Sequence, residues 1–148
     1  MISILLADDH DSLRKVVIDL LLGESDFQVI GDARNGKEAL TLSKDLKPDI
    51  LVTDLYMNGV NGIEVIREVK KCSPKTRIIV LSFVNTIPYV REALNTGAKG
   101  YVFKDDCFNT LPGAIREVFK GNCYLSPPLS LSEIESYDTL TRLPAQGL

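Results

Sequence analysis

The chain has 148 residues, 45% hydrophobic and 25% charged, which are the proportions of a single globular domain able to bury a core without disulfide or metal staples. Seventeen Lys and Arg against 20 Asp and Glu leave a net charge of −3, the wrong sign for a protein that holds nucleic acid through phosphate contacts. No apolar run approaches the ~20 residues of a membrane span, and the opening Met1 to Asp9 lacks the cationic start of a secretory signal, so a cytoplasmic location is expected.

The first apolar run, Ile2–Ala7, reads as a strand and ends in Asp8-Asp9. Leu13, Val16, Val17, Leu20 and Leu21 then lay one apolar stripe along a helix. A second strand runs from Phe27 through Ile30, giving way at Ala33-Arg34, and Asn35 is placed to cap a helix carrying Ala39, Leu42 and Leu46. Ile50–Thr53 is apolar at consecutive positions, as a strand covered on both faces should be, and Asp54 follows it. Ile66, Val69 and Cys72 make a third helical stripe. Arg77–Leu81 is a fourth strand, with Ser82 at its end, and Val90, Ala93 and Leu94 belong to a helix that stops at Gly97. Gly100–Phe103 is the fifth strand and is followed by Lys104. Leu111, Ala114, Ile115, Val118 and Phe119 mark a fifth helix, in which Pro112 is expected within the first turn. After Gly121 the pattern fails. Residues 121–148 read as a tail or linker, with a short helix near Leu131–Tyr137. Cys72, Cys107 and Cys123 have no ligand-like spacing and are expected to be reduced.

Strand and helix alternating to residue 120 predict a doubly wound α/β domain with a five-stranded parallel sheet. Ligands of such sheets bind beyond the carboxyl ends of the strands, where the strand order reverses. If the order is 2-1-3-4-5, strands one and three are neighbours there. Asp8, Asp9 and Asp54 then converge, with Ser82 and Lys104 beside them. Three close carboxylates repel one another, and a hard divalent cation such as Mg²⁺ relieves this. Three acids, one lysine and one Mg²⁺ sum to about zero charge. A cation and a lysine beside an aspartate also suit phosphoryl transfer, for which aspartate is an established acceptor. Each residue has an ordinary explanation when taken singly. Asp8 and Asp9 could cap the first helix, Asp54 could sit in an acidic turn, Ser82 could bond its own backbone, and Lys104 could be a solvated charge. One shared pocket accounts for all of them together. His10 is read as a helix-start residue with no role in it.

The succession Asp8-Asp9, Asp54, Ser82, Lys104 resembles the receiver domain of two-component response regulators. Leu-Leu-Ala-Asp-Asp-His at residues 5–10, Pro48-Asp49, and Ala93-Leu94 leading to Gly97-Ala98-Lys99-Gly100-Tyr101 match it too. Lys104-Asp105, where many receivers have lysine then proline, is similar to the NarL/FixJ class, whose output is a LuxR-type DNA-binding domain. The likeness covers residues 2–120. It implies a flavodoxin-like (βα)5 fold in which Asp54 is phosphorylated by a histidine kinase. Asp9 would hold Mg²⁺ directly, Asp8 through water, and the Tyr56 backbone carbonyl would complete the set with Asp54. It further implies that Lys104 pairs with the phosphoryl group, that Ser82 swings in to bond it, and that Tyr101 moves inward behind Ser82. The switch would act through a phosphorylation-dependent homodimer, on a first-helix/fifth-helix or a fourth-helix/fifth-strand surface, or through release of an output domain. DNA would be reached only through that output domain.

Two departures stand out. Asn58 replaces the family's common proline after the methionine of the acceptor turn, which should alter loop stability and leave the chemistry intact. Asn122 to Pro127 resembles the post-receiver segment, and Leu140-Thr141 the opening of a LuxR-type domain, whose ~60 further residues are not in this sequence. The expected organisation is therefore a receiver over 1–120 and a linker over 121–148 leading towards an absent output domain. The leading rival is an aspartate-nucleophile phosphatase of the haloacid-dehalogenase type. That family wants an acid where Tyr56 stands, and a cap domain. A dinucleotide-binding module fails for want of a glycine-rich turn after the first strand. A receiver-like module that is never phosphorylated is the remaining alternative. The expected activity is that of a phosphoacceptor, with no turnover of an external substrate.

Overall fold

Neighbouring residues of a strand point to opposite faces, so Ile50-Leu51-Val52-Thr53 needs cover on both. The computed structural model, which describes residues 1–57 and 60–135, supplies it. Strands β1 (Ile2–Ala7), β2 (Phe27–Ala33), β3 (Ile50–Thr53), β4 (Arg77–Ser82) and β5 (Gly100–Phe103) alternate with helices α1 (Asp11–Leu22), α2 (Gly36–Leu46), α3 (Gly62–Cys72), α4 (Ile87–Thr96) and α5 (Cys107–Phe119). The strands are parallel and lie in the order β2-β1-β3-β4-β5, the doubly wound flavodoxin-like arrangement expected from the sequence.

Alternation within the strands divides the core in two. Leu5, Leu51, Ile78 and Val80 face α2, α3 and α4, meeting Ala39, Ile66, Val69, Val90 and Ala93. Ile4, Leu6, Val52, Ile79 and Leu81 face α1 and α5, meeting Val17, Leu21, Leu111, Ile115 and Val118. Local signals set the helix ends. Asn35 accepts the Glu38 N–H at 2.9 Å and so caps α2, as its place in the sequence implies. Gly97 closes α4 at φ +132°, a conformation that a residue with a Cβ adopts only under strain. Gly62 opens α3 so close to the acceptor loop that a Cβ there would lie 2.2 Å from the Leu55 carbonyl oxygen.

Three features differ from expectation. Val16, placed on the α1 stripe, is 46% exposed, while Arg14 is buried. The face of α1 that meets the sheet runs Arg14, Val17, Leu21, so a charged residue occupies a core register. Pro112 is the sixth residue of α5, well past the first turn. The bond it cannot make would run to the carbonyl of Phe108.

The third difference is the segment after α5. Tyr124–Leu125 forms a sixth strand, β6, parallel to β5. The fully buried Ser126 donates its N–H to the Tyr101 carbonyl at 2.9 Å, and its Oγ accepts the Phe103 N–H at 3.0 Å. Residues 131–135 are helical, and Ile134 is buried in the cluster that holds Tyr101, Val90 and Ala93. The segment expected to be a tail is, through residue 135, a strap along the β5 edge. Ser136 and Tyr137 of the expected short helix, Leu140-Thr141, and Asn58 lie outside the described residues.

Candidate functional site: an acid pocket at the switch point

The chain leaves β1 towards one edge of the sheet and leaves β3 towards the other, so a crevice opens beyond their carboxyl ends. Two backbone bonds carry the ladder one residue further and fix how the acids leave it: Asp8 N–H to the Ala33 carbonyl and Asp54 N–H to the Ala7 carbonyl, both 3.0 Å. Ligand atoms of Asp8, Asp9, Asp54 and His10 all fall within 4.8 Å of one another. The three acids predicted to converge do so.

Lys104, at the end of β5 and 4% exposed, lies between two of them. Its Nζ is 2.8 Å from Asp54 Oδ2 and 2.9 Å from Asp8 Oδ2. The opposite oxygen of Asp54 accepts the Leu55 N–H at 2.7 Å and the Tyr56 N–H at 3.3 Å, which sets the plane of the carboxylate. Burial pushes the Asp54 carboxyl above its ordinary pKa. Lys104 opposes that rise, and the neighbouring charge of Asp8 adds to it. Burial would lower the Lys104 ammonium, but hydrogen bonds and charge from Asp54 and Asp8 outweigh it and leave its pKa raised.

The donor set fits a hard divalent cation. Asp9 Oδ1 is enclosed and accepts no hydrogen bond, its nearest basic group being His10 Nδ1 at 3.3 Å. Three carboxylates and one ammonium leave the pocket two charges negative, and oxygen ligands are what Mg²⁺ takes. A buried, unsatisfied carboxylate oxygen facing two further acids is costly without such an ion.

Ser82, at the end of β4, is buried, and its Oγ accepts the Val84 N–H at 3.0 Å. The Val84 carbonyl in turn accepts the Tyr101 hydroxyl at 2.6 Å. Tyr101 is fully buried. Burial raises its phenol pKa to about 12, with a hydrogen bond from Ser82 opposing the rise. Tyr56 donates its backbone N–H to Asp54 while its ring stays half-exposed, edge-on to Tyr89 at 6.2 Å.

Two residues of this region, Phe83 and Arg14, were not singled out by sequence, and a third, His10, read there as a helix-start residue without a role in the pocket, is the N-cap of α1 and lies within the acid cluster. His10 donates its backbone N–H to Asp8 Oδ1 at 2.9 Å and holds its ring 3.2 Å from the same oxygen. Phe83 is exposed and lies 5.2 Å from the Lys104 ammonium, a cation–π distance. Arg14 bonds the Asp8 carbonyl from beneath. Of Phe83 and Arg14, only Arg14 left a trace in the sequence, as a charge in register with Val17 and Leu21.

The sequence is 33% identical over 130 residues to the response regulator GacA of Pseudomonas aeruginosa, covering 88% of this chain and 61% of that protein. It is also 33% identical over 139 residues to the transcriptional regulatory protein DegU of Brevibacillus brevis, covering 94% and 59%. The chain thus spans about 60% of the length of these curated relatives. Among solved structures, a two-component response regulator of the LuxR family from Aurantimonas sp. SI85-9A1 superposes with TM-score 0.84 at 28% identity, over 97% of this chain and 99% of that one. The isolated REC domain of RcsB from Salmonella enterica serovar Typhimurium, determined in the presence of the phosphomimetic BeF3⁻, gives 0.80 at 26% identity, over 90% and 97%. The response regulator receiver domain profile matches residues 4–116, and the chain, with its acids, lysine and serine at the ends of the expected strands, belongs to that family.

Proposed function

We propose that this receiver is a phosphorylation switch in which Asp54 accepts a phosphoryl group from the phosphohistidine of a sensor kinase. Lys104 bridging Asp54 and Asp8, beside an unsatisfied Asp9 oxygen, is the observation that carries the reading. Asp9 and Asp54 would hold Mg²⁺ together with the Tyr56 carbonyl, and Asp8 would act through water. When bound, the ion supplies charge compensation at the phosphoryl oxygens.

The chain's own residues do the rest. The Leu55 and Tyr56 N–H groups hold one Asp54 oxygen and so orient the carboxylate. A carboxylate oxygen forms the new bond to phosphorus while the P–N bond breaks, and the departing imidazole keeps the electron pair and gains a proton. Lys104 pairs with the transferred oxygens. The Ser82 hydroxyl donates its proton to one of them. Phosphorylation replaces one negative charge with about two and adds acceptor oxygens. Inverting a 1:99 population takes ~5.5 kcal/mol, more than the ~1.5–3 kcal/mol of one charged hydrogen bond, so repacking behind Ser82 must contribute.

The domain modifies itself and turns over no external substrate. Its partners are a sensor histidine kinase and a second copy of the chain, with DNA reached only through an output domain. The α1/α5 surface is the favoured dimer face, because β6 and Ile134 cover the β5 edge. The site of action is the cytoplasm. Among the described residues no helix is long and apolar enough to cross a membrane.

Incubation with acetyl phosphate and Mg²⁺, followed by intact-mass measurement, tests the reading. One base-labile phosphoryl group is expected, absent without Mg²⁺ and absent in Asp54→Asn. Addition that persists in Asp54→Asn, or none in the wild type, refutes it. Turnover of phosphate esters would favour the phosphatase.

A further inference from the structure

Arg14 is a buried charge that the proposed chemistry does not use. It stands one turn into α1, 4% exposed, and three of its nitrogens reach three parts of the chain. Nε donates to Asp32 Oδ2 at 2.8 Å, at the end of β2; NH2 donates to Asp11 Oδ1 at 2.7 Å, at the start of α1; NH1 donates to the Asp8 backbone carbonyl at 2.8 Å. The two carboxylates are 46% and 71% exposed, so water can satisfy both and neither needs the arginine. The buried acceptor that does need it is the Asp8 carbonyl.

That carbonyl belongs to the Asp8–Asp9 peptide, a rigid plane whose other end is the Asp9 N–H. The Asp8 N–H is already tied to Ala33 across the sheet. With the carbonyl held as well, the direction in which Asp9 leaves the strand is set, and Asp9 carries the unsatisfied oxygen. We propose that Arg14 is a positioning residue for the cation pocket, fixing the Asp8–Asp9 peptide so that Asp9 is presented to the ion. This rests on the Mg²⁺ reading above.

Electrostatics and positioning predict opposite signs. Removing a positive charge close to a cation site should tighten Mg²⁺ binding by Coulomb's law. Loss of the brace should weaken it. Arg116 is the control: it donates Nε and NH2 to Asp26 and NH2 to Glu24, packs on Phe27, and reaches no acidic pocket residue.

Calorimetric Mg²⁺ titration of the full chain, beside thermal melts in chelator, decides between them. Arg14→Met should bind Mg²⁺ about tenfold more weakly, and Arg116→Met within twofold of wild type. A merely structural role would lower the melting temperature and leave the affinity of the folded protein unchanged. Equal or tighter binding by Arg14→Met overturns the inference while the Mg²⁺ reading stands. Wild type that takes up no Mg²⁺ overturns both. Should Arg14→Met fail to fold, Arg14→Lys keeps the charge but cannot span three acceptors. It should bind at least threefold more weakly, and wild-type affinity in that variant overturns the inference.

Discussion

Asp54→Asn should stabilise the metal-free protein, although it removes the residue on which the proposed function depends. Two carboxylate oxygens no more than 4.8 Å apart repel by about 3–4 kcal/mol at an effective dielectric of about 20, and Asp54 faces two such neighbours, Asp8 and Asp9. Its attraction to Lys104 at 2.8 Å is about 6 kcal/mol on the same footing, so the pairwise effects nearly cancel. What remains is the desolvation of a carboxylate 5% exposed, only partly offset by two backbone N–H groups, and this agrees with its raised pKa. A gain of about 1–3 kcal/mol is expected, or about 3–9 °C in melting temperature for a chain of this size. Thermal melts in chelator measure it. A carboxyl with a raised folded pKa binds its proton more tightly folded than unfolded. The advantage of Asp54→Asn should therefore shrink as pH falls from neutrality through the raised folded value to the unfolded value of about 4. Saturating Mg²⁺ should narrow the gap, since an ion at 100 times its Kd adds about 2.7 kcal/mol to the wild type and less to the variant. A variant that melts below wild type in chelator would refute the claim that the acids are crowded at a cost.

The other predictions test the neighbours of that pocket. Lys104→Met leaves Asp8 and Asp54 buried without their cation and should cost about 3–5 kcal/mol in urea melts without metal, with Mg²⁺ restoring part of it. Because the folded pKa of Lys104 is raised, the stability it confers is complete below about pH 10 and is lost as pH rises through the folded value. Gly62→Ala forces a Cβ against the Leu55 carbonyl and should cost about 2–3 kcal/mol while slowing phosphorylation from acetyl phosphate, since the displaced loop carries the N–H groups that hold Asp54. Ile134→Ala should cost about 2 kcal/mol, where a solvated linker would lose less than about 0.5, and hydrogen exchange should rise at Gly100 to Phe103.

The alternation of strands and helices was legible because each strand carries a short apolar run, unbroken only in part of them, and the helices between keep a period near 3.6. The pocket was legible for a related reason. Asp8, Asp54, Ser82 and Lys104 each stand directly after an apolar run, and a parallel sheet gathers such positions at one edge. Arg14 was hidden because periodicity counts apolar residues, and the α1 stripe could be drawn through Val16 as readily as through Arg14. The strap was hidden because its pieces are too short to have a period. Two residues pair with β5, one serine bonds across it, and Leu125, Leu129 and Ile134 pack at irregular spacing among prolines and serines that ordinarily mark a loop.

That strap bears on how a signal could leave the pocket. From Ser82 the bonds run to Val84, from Val84 to Tyr101, and from Tyr101 to Ser126, each a single hydrogen bond. At about 1 kcal/mol net apiece, the three together fall well short of the ~5.5 kcal/mol needed to invert a 1:99 population. Lys104 adds little to the balance if it only exchanges one anionic partner for another. The proposed switch would therefore need apolar surface to change hands as well, and the apolar residues packed in the cluster of Tyr101 include Ile134, Leu125 and Leu129 of the strap. Burying one such side chain is worth about 1.5–3 kcal/mol. Shifting one or two of them, added to the bonds, reaches the required magnitude, so a switch of the kind proposed above would have to draw on the segment after α5.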